Sequence, residues 1–325
     1  MKVSVLVPTY NQRHYIQGCL DKILEQKCDS LEILVGDDGS DDGTAEIVKK
    51  YGEAFPDKIT VFLNKRETEQ HKAAGSTNFF NLLHQAKGQY IAICEGDDYW
   101  LDPLKLQRQV AFLDNNPEYS ACCHDVAVVN EAGEEQYICS QVREISDDKD
   151  ITVADLVVEN PIITVSVMFR NTSYMQDSPE WFFQFRFGDW PMAVQNAIHG
   201  PIRYLHQLMA AYRVHSNSTW SSQAYQYRYA AIMDFRFFLN YLLERRYEEI
   251  LKNKIIDEVV RATADCMHYK EQFERATADC MRYKEQFERV TADYERLVNG
   301  NTFGLMGKCC NRLSKALKTL TGQGR

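Results

Sequence analysis

Over the first hundred residues, short apolar runs alternate with helical patterns, and two of those runs end in paired aspartates. Val3-Ser4-Val5-Leu6-Val7 closes on Pro8-Thr9-Tyr10-Asn11, after which Tyr15, Ile16, Cys19, Leu20, Ile23 and Leu24 recur at helical spacing. Leu31 to Val35 runs into Gly36-Asp37-Asp38-Gly39-Ser40, followed by a helical pattern over Thr44 to Tyr51. Ile59 to Leu63 reads as a third strand, Ser76 to Ala86 as a helix, and Gln89 to Cys94 as a fourth strand closing on Glu95-Gly96-Asp97-Asp98. Strands alternating with helices of this length predict βαβ units and a mainly parallel sheet.

A parallel sheet places its ligand sites at the carboxyl ends of its strands. The acids collect there: Asp37 and Asp38 after one strand, Asp97 and Asp98 after another. Short carboxylates on neighbouring strand ends can ligate a divalent cation by oxygen and grip ribose hydroxyls, and Mg²⁺ and Mn²⁺ favour such ligands shared with phosphates. The pattern suits a nucleoside diphosphate held through metal and sugar. Each piece alone also reads as a strand-end turn with a helix cap. The first strand lacks a Gly-x-Gly-x-x-Gly turn and no Walker lysine loop occurs, which argues against dinucleotide oxidoreductases and P-loop NTPases.

Beyond residue 118 the pattern loosens. Ala121 to Val129 and Ile162 to Phe169 read as strands, Trp181 to Trp190 as an aromatic loop, and Pro191 to Ile198 as the opening of a helix. Tyr225 to Val260 reads as helical. Arg261 to Glu274 and Arg275 to Glu288 then match at 13 of 14 positions. Fourteen residues are two heptads. Apolar positions alternate four and three apart from Ile255 to Leu297, which predicts a left-handed coiled coil and a homo-oligomer, or else a helix folded back on its own domain. From Phe303 to Arg325 there are five basic residues and no acid, with Leu305, Cys309, Leu313, Ala316, Leu317 and Leu320 near one helical face. That reads as a peripheral membrane-surface element or as a solvated terminal helix.

The net charge of −9 argues against a nucleic-acid binder. No run of about 18 apolar residues is present, which argues against a spanning helix. The N-terminus lacks the features of a signal peptide, and the ten cysteines show no Cys-x-x-Cys spacing, so a cytoplasmic protein with reduced thiols is expected, at the inner face of the membrane if the tail binds there.

Taken together, the motifs over Lys2 to Asp114 resemble the family 2 glycosyltransferases of the GT-A fold: Val3 to Asn11, Ile33 to Thr44, and Gly88 to Ala92 leading into Glu95 to Asp98. The resemblance continues more loosely through Phe187-Gly188-Asp189-Trp190-Pro191 and Tyr212-Arg213-Val214-His215. It implies a Rossmann-like α/β domain over residues 1–245, with a nucleotide-sugar half (1–114) and an acceptor half (115–220); heptad spacing and charge then place the coiled coil at 246–298 and the basic tail at 299–325. The resemblance further implies an inverting, metal-dependent transfer from a nucleotide-diphosphate sugar, and a tail at the membrane points to a glycan or lipid-linked acceptor in cell-surface glycan synthesis. By resemblance, Pro8, Tyr10 and Asp38 surround the nucleotide base, Thr9 and Asn11 belong to the same nucleotide-sugar site, and Asp97 binds the ribose. Asp98 ligates Mn²⁺ or Mg²⁺, His215 completes the metal or diphosphate site, and Asp189 is the catalytic base. Glu95 stands where the family has an aspartate. Arg66 and Lys72 are weaker candidates for phosphate contact. The chain lacks the Gln-x-x-Arg-Trp motif and membrane helices of the processive members. The aromatic cluster Trp181, Phe182, Phe183, Phe185 and Phe187 can stack on an acceptor sugar or form core. The rival expectation is a non-catalytic nucleotide-binding domain that works through its coiled coil. A nucleotidyltransferase would open with a Gly-rich basic loop, which is missing.

Overall fold

The computed structural model describes residues 2–64, 74–178, 181, 182, 185, 187–216, 218 and 225–258. The chain divides into two compact units, Met1–Ser222 and Gln223–Arg325.

The first unit opens with β1 (Val3–Thr9), α1 (Ile16–Leu24), β2 (Leu31–Asp37), α2 (Thr44–Ala54), β3 (Ile59–Leu63), α3 (Ala74–Gln85) and β4 (Tyr90–Ile93). It continues with β5 (Tyr99–Trp100), α4 (Lys105–Asn115), β6 (Ala121–Val129), β7 (Glu135–Ile138), α5 (Cys139–Val142), β8 (Lys149–Ile151) and α6 (Val153–Val158). It closes with β9 (Met168–Arg170), α7 (Ser173–Gln176), α8 (Asp189–His199) and β10 (Ile202–Arg213). Along one sheet the strands run β3-β2-β1-β4-β9-β6-β10-β5. The first four pair in parallel, as do β6 and β10. Strand β9 joins the two parallel sets by pairing antiparallel with β4 and β6, so the sheet as a whole is mixed.

Strand β1 is buried along nearly its whole length, as expected of a strand covered on both faces. Val3, Val5 and Val7 share a core cluster with Ile16, Leu20 and Ile23 of α1, while α3 packs on β1 and β2. The chain order reverses at β1, with β2 and β3 to one side and β4 to the other. A crevice opens at such a reversal, beyond the carboxyl ends of the strands. The turns after β1, β2 and β4 meet there.

Several elements depart from the sequence expectation. Ile162 to Phe169 is not one strand. Thr164–Ser166 forms a 3₁₀ turn and only Met168–Arg170 pairs. Buried side chains take the carbonyls that a ladder would use. Trp100 Nε1 donates to Val165 O at 3.1 Å and Gln109 Nε2 to Ser166 O at 2.8 Å. Helix α4 escapes a hydrophobic-pattern reading because two of its buried residues are Lys105 and Gln109, bonded to each other at 2.7 Å. Strand β10 escapes it because register shifts flank Leu208 and interrupt the two-residue alternation.

In the second unit, α9 (Tyr225–Leu242) does not continue to residue 260. It ends in a Schellman-type turn, where Arg245 N–H donates to Asn240 O at 2.8 Å and Glu244 N–H to Tyr241 O at 3.0 Å. Glu244 takes φ 53° there. Residues 248–258 are again helical, and Arg236 pairs with Glu258 at 3.0 Å. The heptad segment from residue 259, the basic tail, Arg66, Lys72 and Phe183 lie outside the described residues. No helix among the described residues is long and apolar enough to cross a membrane.

Candidate active site

The turn after β1 is locked to the turn after β2. Asn11 sits at φ 52°, a conformation asparagine tolerates better than most residues. Its backbone N–H donates to Ser40 Oγ at 2.9 Å, and its amide exchanges two 3.0 Å bonds with Asp41. Asp37 is buried and accepts from the backbone and hydroxyl of Ser40, so it shapes the turn. Asp38 N–H donates to Thr9 O at 3.0 Å. Pro8, Thr9, Tyr10, Asn11 and Asp38 are thereby gathered at one rim of the crevice, with Tyr10 left 40% exposed.

The turn after β4 forms the floor. Gly96 N–H donates to Pro8 O at 3.2 Å. A Cβ at Gly96 would meet the side chains of Gln12 and Thr9, the latter at 2.7 Å, so only glycine lets the two turns approach this closely. Asp97 and Asp98 are then held by β10 and the segment after it. Arg213 N–H donates to Asp98 Oδ1 at 2.8 Å, and Arg213 Nε to Asp97 O at 3.0 Å. His215 Nε2 meets Asp97 Oδ2 at 3.0 Å. The Arg213 guanidinium lies over the rings of Tyr15 and Tyr99, at 4.7 and 5.4 Å from their centroids. A cavity of about 220 Å³ beside it is lined by Tyr15, Lys22, Asp97, Asp98, Tyr99 and Arg213.

Asp189 arrives from the other side, in the first turn of α8, where helix N–H groups favour a carboxylate. Asn160 Nδ2 donates to Asp189 Oδ2 at 3.1 Å. Trp190, buried in the same turn, donates from Nε1 to Leu156 O at 2.8 Å and fastens α8 to α6. In the aromatic cluster, Phe182 is core, edge-on to Phe80 at 5.0 Å, whereas Phe187 is half-buried and stacks on Trp190 at 6.1 Å.

The acids repel one another's charge. Burial, then the carboxylates of Asp97 and Asp189, push Glu95 up to about 8. Burial, then Asp97 and Glu95, push Asp98 well above the usual carboxylate range. Burial raises Asp189 as well, against the opposing pull of the Trp190 N–H and Asn160. Burial, then the charges of Asp98, Glu95, Asp97 and Asp189, also raise the Tyr212 phenol.

Asp98 Oδ2 is buried with no hydrogen-bond partner. An anionic oxygen so placed costs several kcal/mol unless a proton or cation meets it. No three His, Cys, Asp or Glu side chains among the described residues form a ready-made metal cage. A lone unpartnered carboxylate oxygen fits a hard divalent cation that takes its remaining ligands from phosphate and water, and does not fit one held by protein alone.

Asp97, Asp98 and His215 therefore stand together, the charge of Asp189 reaches Glu95, and Pro8, Thr9, Tyr10, Asn11 and Asp38 cluster on the first rim. Tyr212 and Arg213 belong to the Tyr-Arg-x-His element that, by resemblance, lies near a donor diphosphate, whereas no sequence pattern marks Tyr15 or Asn160 as site residues.

The model of glycosyl transferase family 2 matches residues 4–216. An uncharacterized protein of Mycobacterium tuberculosis is 35% identical over 221 residues, covering 68% of this chain and 61% of its own length. The chain thus spans about three fifths of the length of the curated relatives it matches over this region. S. aureus TarS 1–349 in complex with UDP-GlcNAc superposes with a TM-score of 0.55 at 19% identity, covering 74% of this chain and 66% of that one. The mannosyltransferase PcManGT of Pyrobaculum calidifontis, in complex with GDP-Man and Mn²⁺, gives 0.53 at 17% identity, covering 100% and 88%.

Proposed function

Because this chain belongs to glycosyl transferase family 2, we propose that it moves a sugar from a nucleoside-diphosphate sugar to an acceptor hydroxyl with inversion. One observation carries this reading. Asp98 keeps a buried carboxylate oxygen without a hydrogen-bond partner, in an acid turn that Arg213 and His215 hold in place after β4.

Roles follow from position. Tyr10 offers an open aromatic face to a nucleotide base, and Asp38 offers a carboxylate beside it. Asp97, steadied by His215, takes the ribose hydroxyls. Asp98 Oδ2, buried without a partner, would hold Mn²⁺ or Mg²⁺. When bound, such a cation offsets the negative charge of the diphosphate leaving group. Asp189 accepts the proton of the acceptor hydroxyl as that oxygen attacks the anomeric carbon. A glycan or lipid-linked acceptor at a cell surface, reached through the basic segment 303–325, and self-association through 255–297 complete the proposal; charge and heptad spacing support them.

A panel of nucleotide sugars with Mn²⁺, read by release of nucleoside diphosphate, tests the reaction. Asp189→Asn is expected to retain UDP or GDP affinity in calorimetry and to lose roughly 10²–10⁴-fold in turnover. Near-normal turnover in that variant would remove Asp189 as the base.

A further inference from the structure

Asp189 is held by a residue that belongs to no motif. Asn160 follows the end of α6, and its amide has a fixed sense. Ile162 N–H donates to Asn160 Oδ1 at 3.1 Å, so the amide nitrogen, not the oxygen, points at Asp189 Oδ2, also at 3.1 Å. The segment is itself anchored, since Arg143 Nη1 donates to the carbonyl of Pro161 and Ile162 is 4% exposed. Trp190 ties α8 to the α6 carbonyl at Leu156, so helix and segment form one frame.

We propose that Asn160 is a positioning residue for Asp189, fixing the rotation of its carboxylate toward the acceptor hydroxyl. The proposal rests on the reading of Asp189 as the base. A carboxylate on a short side chain in a half-buried site has two ways to fail: it can turn away, or it can take up a proton from its surroundings. A donated N–H on one oxygen opposes both. The charge of Asp189 is felt by Glu95, from the turn after β4, and by Tyr212, from β10. From α6, Asp155 is spent on its own helix cap with Thr152. From α7, Tyr174 stacks on His199 at the far end of α8. Nothing positively charged among these groups does what Asn160 does.

Two variants and a direct titration test the inference. The ¹³C carboxyl resonance of Asp189, assigned by its loss in Asp189→Asn, is followed against pH in the metal-free protein. Asn160→Ala is expected to raise the Asp189 midpoint by about one unit, through loss of a hydrogen bond to the charged form. Asn160→Asp, equal in size and retaining the fold if Asn160→Ala does not, sets a second carboxyl against the first and is expected to raise the midpoint further. With UDP-GlcNAc and GDP-mannose as donor probes and Mn²⁺ present, kcat should fall about tenfold in Asn160→Ala with donor KM within about twofold, the split expected of an interaction felt in the chemical step. The acid limb of the kcat profile should move up with the NMR midpoint. An unmoved carboxyl midpoint in both variants overturns the inference. An Asp189→Asn protein that keeps full turnover overturns instead the reading of the base, and the two failures are distinct because the titration needs no turnover.

Discussion

His215 Nε2 and Asp97 Oδ2 stand 3.0 Å apart, with the imidazole only 4% exposed. The ring also packs on Tyr15 at 5.1 Å, so it is held from two sides. His215→Ala leaves Asp97 without this partner and opens space beside Tyr15. Loss of such a bond is worth about 1–3 kcal/mol, or roughly tenfold or more in affinity. UDP or GDP binding by calorimetry is expected to weaken by that factor, and an unchanged Kd would separate His215 from the nucleotide site.

Asp98→Asn is expected to exchange metal binding for stability. The wild-type carboxyl is buried and titrates well above the ordinary range, so in the metal-free protein its ionisation costs folding energy. The asparagine keeps its shape and has no charge to bury. Its melting temperature is expected to exceed that of the wild type at pH 8 without metal, while the rise produced by Mn²⁺ plus UDP disappears. A retained metal-dependent rise would assign the cation to other ligands.

Glu95→Gln carries a pH signature. The folded protein holds the Glu95 proton up to about pH 8, whereas the unfolded chain releases it near the ordinary value of 4.5. Stability from this residue is therefore full below about pH 4.5 and is lost as pH rises to about 8. Glutamine escapes that loss. In calorimetry of metal-free protein, Glu95→Gln should melt several degrees above wild type at pH 8.5 and close to it at pH 4.5. Equal differences at both values would remove Glu95 as the titrating group.

Gly96→Ala tests the junction of the two turns. The added methyl meets Thr9 Oγ1 at 2.7 Å and the Gln12 amide, which bond each other at 2.7 Å. Overpacking of this kind costs about 1–3 kcal/mol. A loss of that size in chemical denaturation, together with weaker nucleotide binding, is expected. A fully stable, fully active variant would mean that the turns can separate.

The first four parallel strands were readable because β1, β2 and β4 are buried runs ending in turn residues, and their acids announce themselves by place. The second half was less readable for physical reasons. Helix α4 buries a lysine and a glutamine, β10 loses its alternation at two shifts, and the carbonyls at Val165 and Ser166 go to side chains from distant elements. The site divides the same way. Asp38, Asp97, Asp98 and Asp189 stand in recognisable patterns. Asn160 becomes visible only when the chain folds it back onto α8, 29 positions further along.

The bond from Arg213 N–H to Asp98 Oδ1 spans 115 residues of chain. On a ribosome adding about 5–20 residues per second, Asp98 emerges roughly 6–23 seconds before the amide that steadies it. Strand β10 supplies that amide and Tyr212, and His215 follows directly after it. A nascent chain halted before residue 202 thus carries crowded carboxylates with no backbone donor from β10. Birth order makes completion of this acid turn a late event, so growing chains should acquire nucleotide affinity abruptly, as β10 docks, rather than gradually along their length.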